Sequence, residues 1–143
     1  MSAFVTNCVL QVIADHQPCP QFVLVEPLRY VSDLIGDVDV PAGFQTDGPS
    51  IPQIGMSVVG YRGLRAAIVH DWLLLALTDR STADDVFSEA LAVCGVPDDV
   101  ALMMSNAVRA WTAHLKARER QVAGNSGAAS RAKDSTIQEQ ARR

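Results

Sequence analysis

The sequence predicts an α+β fold: a small antiparallel sheet from the N-terminal half packed on a three-helix unit. Three observations predict it. Short β-prone runs punctuated by Pro, Gly and Asp fill the first 55 residues, helix-period apolar stretches begin near Arg62, and a Gly/Ser/Ala-rich segment starts at Ala123. A chain of 143 residues suffices for one domain with a real core but not for two. The expected organisation is a single α+β domain over residues 1–122 and a flexible polar tail over 123–143, where the composition offers nothing to build a core.

The elements follow in order. Val9–Ile13 and Phe22–Glu26 are strand-like runs separated by the turn-prone segment Asp15–Pro20. Leu28–Val31 and Val38–Val40 supply two more, and Pro41–Phe44 breaks the pattern because Pro cannot donate to a ladder. The first helix is expected over about Arg62–Thr78, apolar on nearly every face and therefore central. After the turn Asp79–Ser81, Ser81 or Thr82 is the expected N-cap of the second helix, with Asp84 and Asp85 in its first turn and Gly95 as its stop after Cys94. A third helix enters at Pro97-Asp98-Asp99 and turns Val100, Met103, Met104, Ala107, Val108 and Trp111 towards the core.

Composition excludes several function classes. A net charge of −4 and a pI near 5.2 argue against nucleic-acid binding by bulk electrostatics. No run approaches the ~18–20 apolar residues of a membrane span. The first residues have neither a basic start nor an apolar signal core, so secretion by the usual route is not expected. Cys8, Cys19 and Cys94 are too few and too scattered for a disulfide framework or a zinc site, which points to reduced thiols and synthesis in a cytoplasm.

The candidate chemistry centres on His70-Asp71, an adjacent imidazole and carboxylate inside the most apolar helical stretch, Ala66–Leu77. Burying either group without partners costs several kcal/mol, so each must be satisfied or face a cleft. Neighbouring helix residues point about 100° apart, which suits a division of labour better than joint chelation of one ion. His70 is the candidate general base, since its ordinary pKa lies near neutrality. Asp84 shares the core-facing stripe of Phe87, Leu91 and Cys94, whereas Asp85 falls with Ser88, Glu89 and Ala92 on a face that reads as solvated. With helices ending at Thr78 and starting near Thr82, a tight hairpin leaves Asp84 roughly 8–9 Å along the axis from His70. A direct bond then requires the first helix to end early or the helices to cross steeply.

A second candidate is the loop Pro41–Pro52, in which Gly43 and Gly48 permit an irregular backbone around Asp47, Thr46 and Ser50. Oxygens gathered in so small a volume would suit a hard divalent cation, calcium rather than zinc. The same residues also spell an Asx-type turn in which Asp47 bonds its own backbone. His16, in a Pro-rich turn, and His114, beside Lys116, Arg118 and Glu119, read as surface residues.

Val40–Pro52, Ala67–Leu73 and Arg80–Phe87, in that order, resemble a phage and prophage family catalogued as domain of unknown function 1353. The similarity spans about residues 22–110. Members often carry a tyrosine shortly after the His-Asp-x-Leu step, where this chain continues Leu74-Leu75, so any role of that hydroxyl is absent or supplied elsewhere. The resemblance implies a viral origin, with synthesis in the host cytoplasm and incorporation in the virion as the expected locations.

More loosely, the His-Asp step, the preceding Gly-containing loop and an Asp on the following helix are similar to the arrangement in secreted phospholipases A2. That similarity implies His70 as the base, Asp84 as its orienter, and Asp71 as a calcium ligand with Asp47 or the carbonyls of Gly43–Gly48. This chain lacks the disulfides that fix the phospholipase site.

Two functions are therefore expected. One is a phage-encoded, metal-assisted hydrolase acting on a host envelope component such as lipid or peptidoglycan. The other is a non-catalytic virion or assembly protein in which Asp47, His70, Asp71 and Asp84 form a locking network. Its tail would then dock on phage structural proteins.

Overall fold

A computed structural model describes residues 1–14, 21–46, 60–76 and 79–141. The α+β class holds, but the strands form two three-stranded antiparallel sheets rather than one. The first has the order β1-β4-β5, from Ala3–Phe4, Leu28–Ser32 and Gly36–Val40. The second has the order β2-β3-β6, from Leu10–Ala14, Gln21–Leu24 and Gln45–Thr46. The two-residue strands β1 and β6 are too short to show a period in the sequence. They exist because Phe4 and Thr46 pair with longer neighbours, Tyr30 on β4 and Phe22 on β3.

The β4–β5 hairpin illustrates how pattern becomes packing. Its register sets Leu28 opposite Val40 and Tyr30 opposite Val38, and all four are buried. The alternate residues form the wet face, where the Arg29 guanidinium reaches Asp37 at 2.6 Å and Asp39 at 3.5 Å. This sheet meets the helices, and its buried side chains merge with theirs in one core that includes Ile68, Val69, Val86, Phe87 and Leu91.

A 3₁₀ turn, Gly60–Gly63, leads into helix α1, Leu64–Ala76, followed by α2, Arg80–Val93, and α3, Asp98–Ala141. As its all-round apolar sequence predicts, α1 is the most enclosed, with Leu64, Ala66–His70 and Leu73 buried. The N-cap of α2 is Asp79, not Ser81 or Thr82. Its Oδ1 accepts from Ser81 N at 3.1 Å and its Oδ2 from the Thr82 hydroxyl at 2.8 Å. The acids Asp84 and Asp85 consequently lie past the first turn, and α2 has no acid there. The far end follows expectation: Gly95, at φ +71°, closes a Schellman motif in which Val96 N donates to Leu91 O and Gly95 N to Ala92 O.

Glu89 departs from the expected solvated face. Its Oε1 accepts from the fully buried Tyr30 hydroxyl at 2.6 Å and its Oε2 from Asp33 N at 3.1 Å, joining α2 to the first sheet. Asp85 does face outward and pairs with Arg109 at 3.0 Å. On α3, Met104 and Val108 are buried as predicted, whereas Met103 is 45% exposed and Trp111 56% exposed. Met103 lies one step round the helix from the buried stripe. Trp111 belongs to a second compact unit, Ala110–Arg143, distinct from Met1–Arg109. That second unit is helical to Ala141 and so includes most of the segment expected as a tail; its residues 117–127 are exposed.

Burial and the Glu89 carboxylate both raise the Tyr30 pKa above the ordinary phenol range. Folding therefore favours the protonated phenol, a contribution fully present below the unfolded phenol pKa near 10 and lost as pH rises above it. Tyr30→Phe should cost about 2 kcal/mol at neutral pH in urea unfolding. The variant should also flatten the loss of stability between pH 10 and 11.5. Equal alkaline slopes in the two proteins would remove Tyr30 from that role.

Candidate functional site

His70 and Asp71 leave α1 in different directions, and the structure gives each a partner. His70 Nε2 lies 2.8 Å from Asp84 Oδ1 on α2. The expected axial offset is closed at the helix ends. From His70 to the end of α1 at Ala76 is about 9 Å, and from the start of α2 at Arg80 to Asp84 about 6 Å, at ~1.5 Å per residue. The remaining ~3 Å is within reach of two side chains. His70 is 7% exposed and Asp84 2% exposed, and the Phe87 ring lies against the imidazole with centroids 5.0 Å apart. With the Asp84 carboxylate as acceptor, Nε2–H is the donor in this bond, and Nδ1 is the ring nitrogen left for another partner.

Asp71 is half-buried, and its Oδ2 accepts from the Thr46 hydroxyl at 2.7 Å. Thr46 is carried there by β6, whose pairing sets it opposite Phe22. Phe44 reinforces the approach by packing edge-on against Trp72, with centroids 5.5 Å apart. Immediately before Phe44, Gly43 adopts φ +86°, a left-handed conformation that a side chain disfavours. Its N–H donates to Leu24 O, while Phe44 N–H bonds back to Pro41 O. Gly43 thus fixes the turn that delivers Phe44 and Thr46 to α1.

The far side of the dyad is tied down as well. Ser88 Oγ lies 3.2 Å from the Asp84 carbonyl and 2.9 Å from Ser105 Oγ on α3. These contacts reach the Asp84 backbone rather than its carboxylate, so they fix α2 against α3 next to the dyad.

Of the six residues singled out from sequence, His70 and Asp84 meet directly. Asp71 sits beside them on α1, and Gly43 lies in the turn leading to Asp71's partner. Asp47 and Gly48 lie outside the described residues, as does His16. His114 is exposed and stacked on Trp111 at 5.5 Å. Among the described residues, no three His, Cys, Asp or Glu side chains gather as a metal site. Two contributors escape sequence reasoning: Thr46, which reads as one polar loop residue among several, and Ser105, whose role depends on how α3 packs on α2.

A family model described as protein of unknown function (DUF1353) matches residues 22–108, a span that contains every described residue of this site. Searches of curated proteins and of solved structures gave no match.

A double-mutant cycle over His70→Ala and Asp84→Ala should return a coupling of about 1–3 kcal/mol. Each single variant should lose about 3–5 kcal/mol, because it strands a buried polar partner. Additive losses would mean that the two side chains stabilise the protein independently.

Proposed function

The chain belongs to the DUF1353 family of proteins of unknown function, and from that premise we propose that it is a phage-encoded protein with a hydrolase-like His70–Asp84 site directed at a host envelope component. The observation that carries the reading is the 2.8 Å contact between a nearly enclosed imidazole and a more deeply enclosed carboxylate. Asp84 holds the Nε2–H, so Nδ1 can take a proton from water as that water attacks an ester or amide carbonyl. The scissile C–O or C–N bond then breaks, and the imidazolium returns the proton to the leaving group. A carboxylate beside the ring stabilises the imidazolium in between.

Asp71, oriented by Thr46, is the proposed anchor of a calcium ion, with Asp47 and the carbonyls of Gly43 and Gly48 as the further ligands. Such an ion would polarise the carbonyl under attack. Calorimetric titration of Ca²⁺, Zn²⁺ and Mg²⁺ into wild type and Asp71→Asn tests this part. Calcium binding should weaken at least tenfold in the variant, and a folded wild type that takes up no ion would end the metal-assisted version.

A second reading is favoured by the low exposure of His70 itself: the cluster is a lock, and the protein is a non-catalytic virion or assembly component made in the host cytoplasm. In that reading residues 123–143 dock on phage structural proteins. His70→Gln separates the two, since glutamine Nε2 can still donate to Asp84 but offers no base. The hydrolase predicts turnover of phospholipids or peptidoglycan fragments that falls at least a hundredfold in a folded His70→Gln. Unchanged turnover in that variant sinks the catalytic role. Absence of the protein from purified phage particles counts against the virion role.

A further inference from the structure

A cavity of about 620 Å³ opens between the second sheet and the first turn of α1, lined by Asn7, Cys8, Leu10, Phe22, Leu64 and Arg65, with Val12 at its edge. None of its lining residues belongs to the His70–Asp84 site. Its size falls within the range of small-molecule sites, and its walls divide about equally between polar and apolar surface. Leu10, Val12, Phe22 and Leu64 are the apolar walls, and Asn7, Cys8 and Arg65 are the polar ones.

Arg65 gives the cavity its chemistry. A guanidinium keeps its charge at any pH the protein meets. This one is half-buried and lies 4.6 Å from the Phe4 ring centroid, a contact that orients the guanidinium without neutralising it. Among the described residues no carboxylate pairs with it, in contrast to Arg29 and Arg109, which both hold aspartates. The thiols near it do not serve as counterions, because burial pushes Cys8 and Cys94 up and keeps both neutral at physiological pH. A half-buried cation in the wall of a cavity that is polar and apolar in about equal measure suits an anion attached to an apolar body.

We propose that this cavity binds a small amphipathic carboxylate, with its head on Arg65 and Asn7 and its chain along Leu10, Val12, Phe22 and Leu64. The proposal is independent of the hydrolase reading: ligand can occupy the cavity whether or not His70 is a base.

The test is calorimetric titration of the full chain with octanoate and, as its uncharged counterpart, octanol. Octanoate should bind one to one, and Arg65→Met should weaken it at least tenfold while leaving octanol binding unchanged. Octanoate at saturation should also slow alkylation of Cys8 by iodoacetamide at least fivefold, read by peptide mapping. If Arg65→Met fails to fold, Val12→Trp takes its place: Val12 is largely exposed at the cavity edge, so the indole narrows the cavity without disturbing the core. This variant should likewise lose octanoate binding. No saturable binding to folded wild type, equal affinity in the variants, or unprotected Cys8 would each overturn the proposal. Sedimentation with phosphatidylglycerol vesicles in place of saturable octanoate binding would assign Arg65 to a membrane surface and overturn it too.

Discussion

Two adjacent polar residues on the most enclosed helix impose the constraint around which the rest of this molecule is arranged. His70 and Asp71 cannot share a partner, because the α-helix points them about 100° apart, and neither can be left in apolar surroundings at a cost of several kcal/mol. Satisfying both demands two separate structures. The first is a second helix set so that Asp84 comes within reach of His70, which requires α1 to end at Ala76 and α2 to start at Arg80 behind the Asp79 cap. The second is a strand end at Thr46, which fixes the Gly43 turn and the Phe44–Trp72 contact. The sheets and helices are thus held in register by two polar bonds of 2.8 and 2.7 Å as well as by the shared apolar core.

The same logic accounts for the rest of the polar framework. Glu89 lies on α2 five residues beyond Asp84 and reaches the opposite way, to Tyr30 and Asp33 in the first sheet. Ser88, between them, faces Ser105 on α3. Three successive polar directions from one helix therefore meet α1, α3 and a sheet. Apolar packing alone tolerates rotation of a helix about its axis, since one aliphatic contact substitutes for another. Hydrogen bonds in three directions do not, and they select one rotation of α2.

How much of this was legible depends on whether the signal was local. The α+β class, the four longer strands and the Gly95 stop are written in short-range periodicity and turn chemistry, and the structure carries them. Asp84 facing inward also followed from local phase, by its alignment with Phe87 and Leu91. Whether Asp84 reached His70 was not local, because it depended on two helix ends. Asp79 captures Ser81 N–H and so starts α2 earlier than a Ser81 or Thr82 cap would. Glu89 departs from its local pattern for the complementary reason: its neighbours on the helix wheel are small or polar, and only the arrival of β4 brings a buried phenol beside it. Thr46 and β6 escape because two residues cannot show an alternation.

Enclosure of His70 bears on both functional readings, and its physical consequence differs between them. In a lock, exclusion of water strengthens the bond to Asp84 and serves no other end. In a catalyst, it strengthens the stabilisation of an imidazolium by Asp84 at the moment a proton arrives, provided that water can reach Nδ1. The half-buried Asp71, one residue along the same helix, sits closer to solvent than His70 does, so the enclosed dyad lies only one residue from wetter surroundings. In the catalytic reading the more deeply enclosed Asp84 orients the imidazole, and water would have to approach from the side away from it. That reading rests on the 2.8 Å contact between His70 and Asp84, with the half-buried Asp71 marking the wetter side of the same helix.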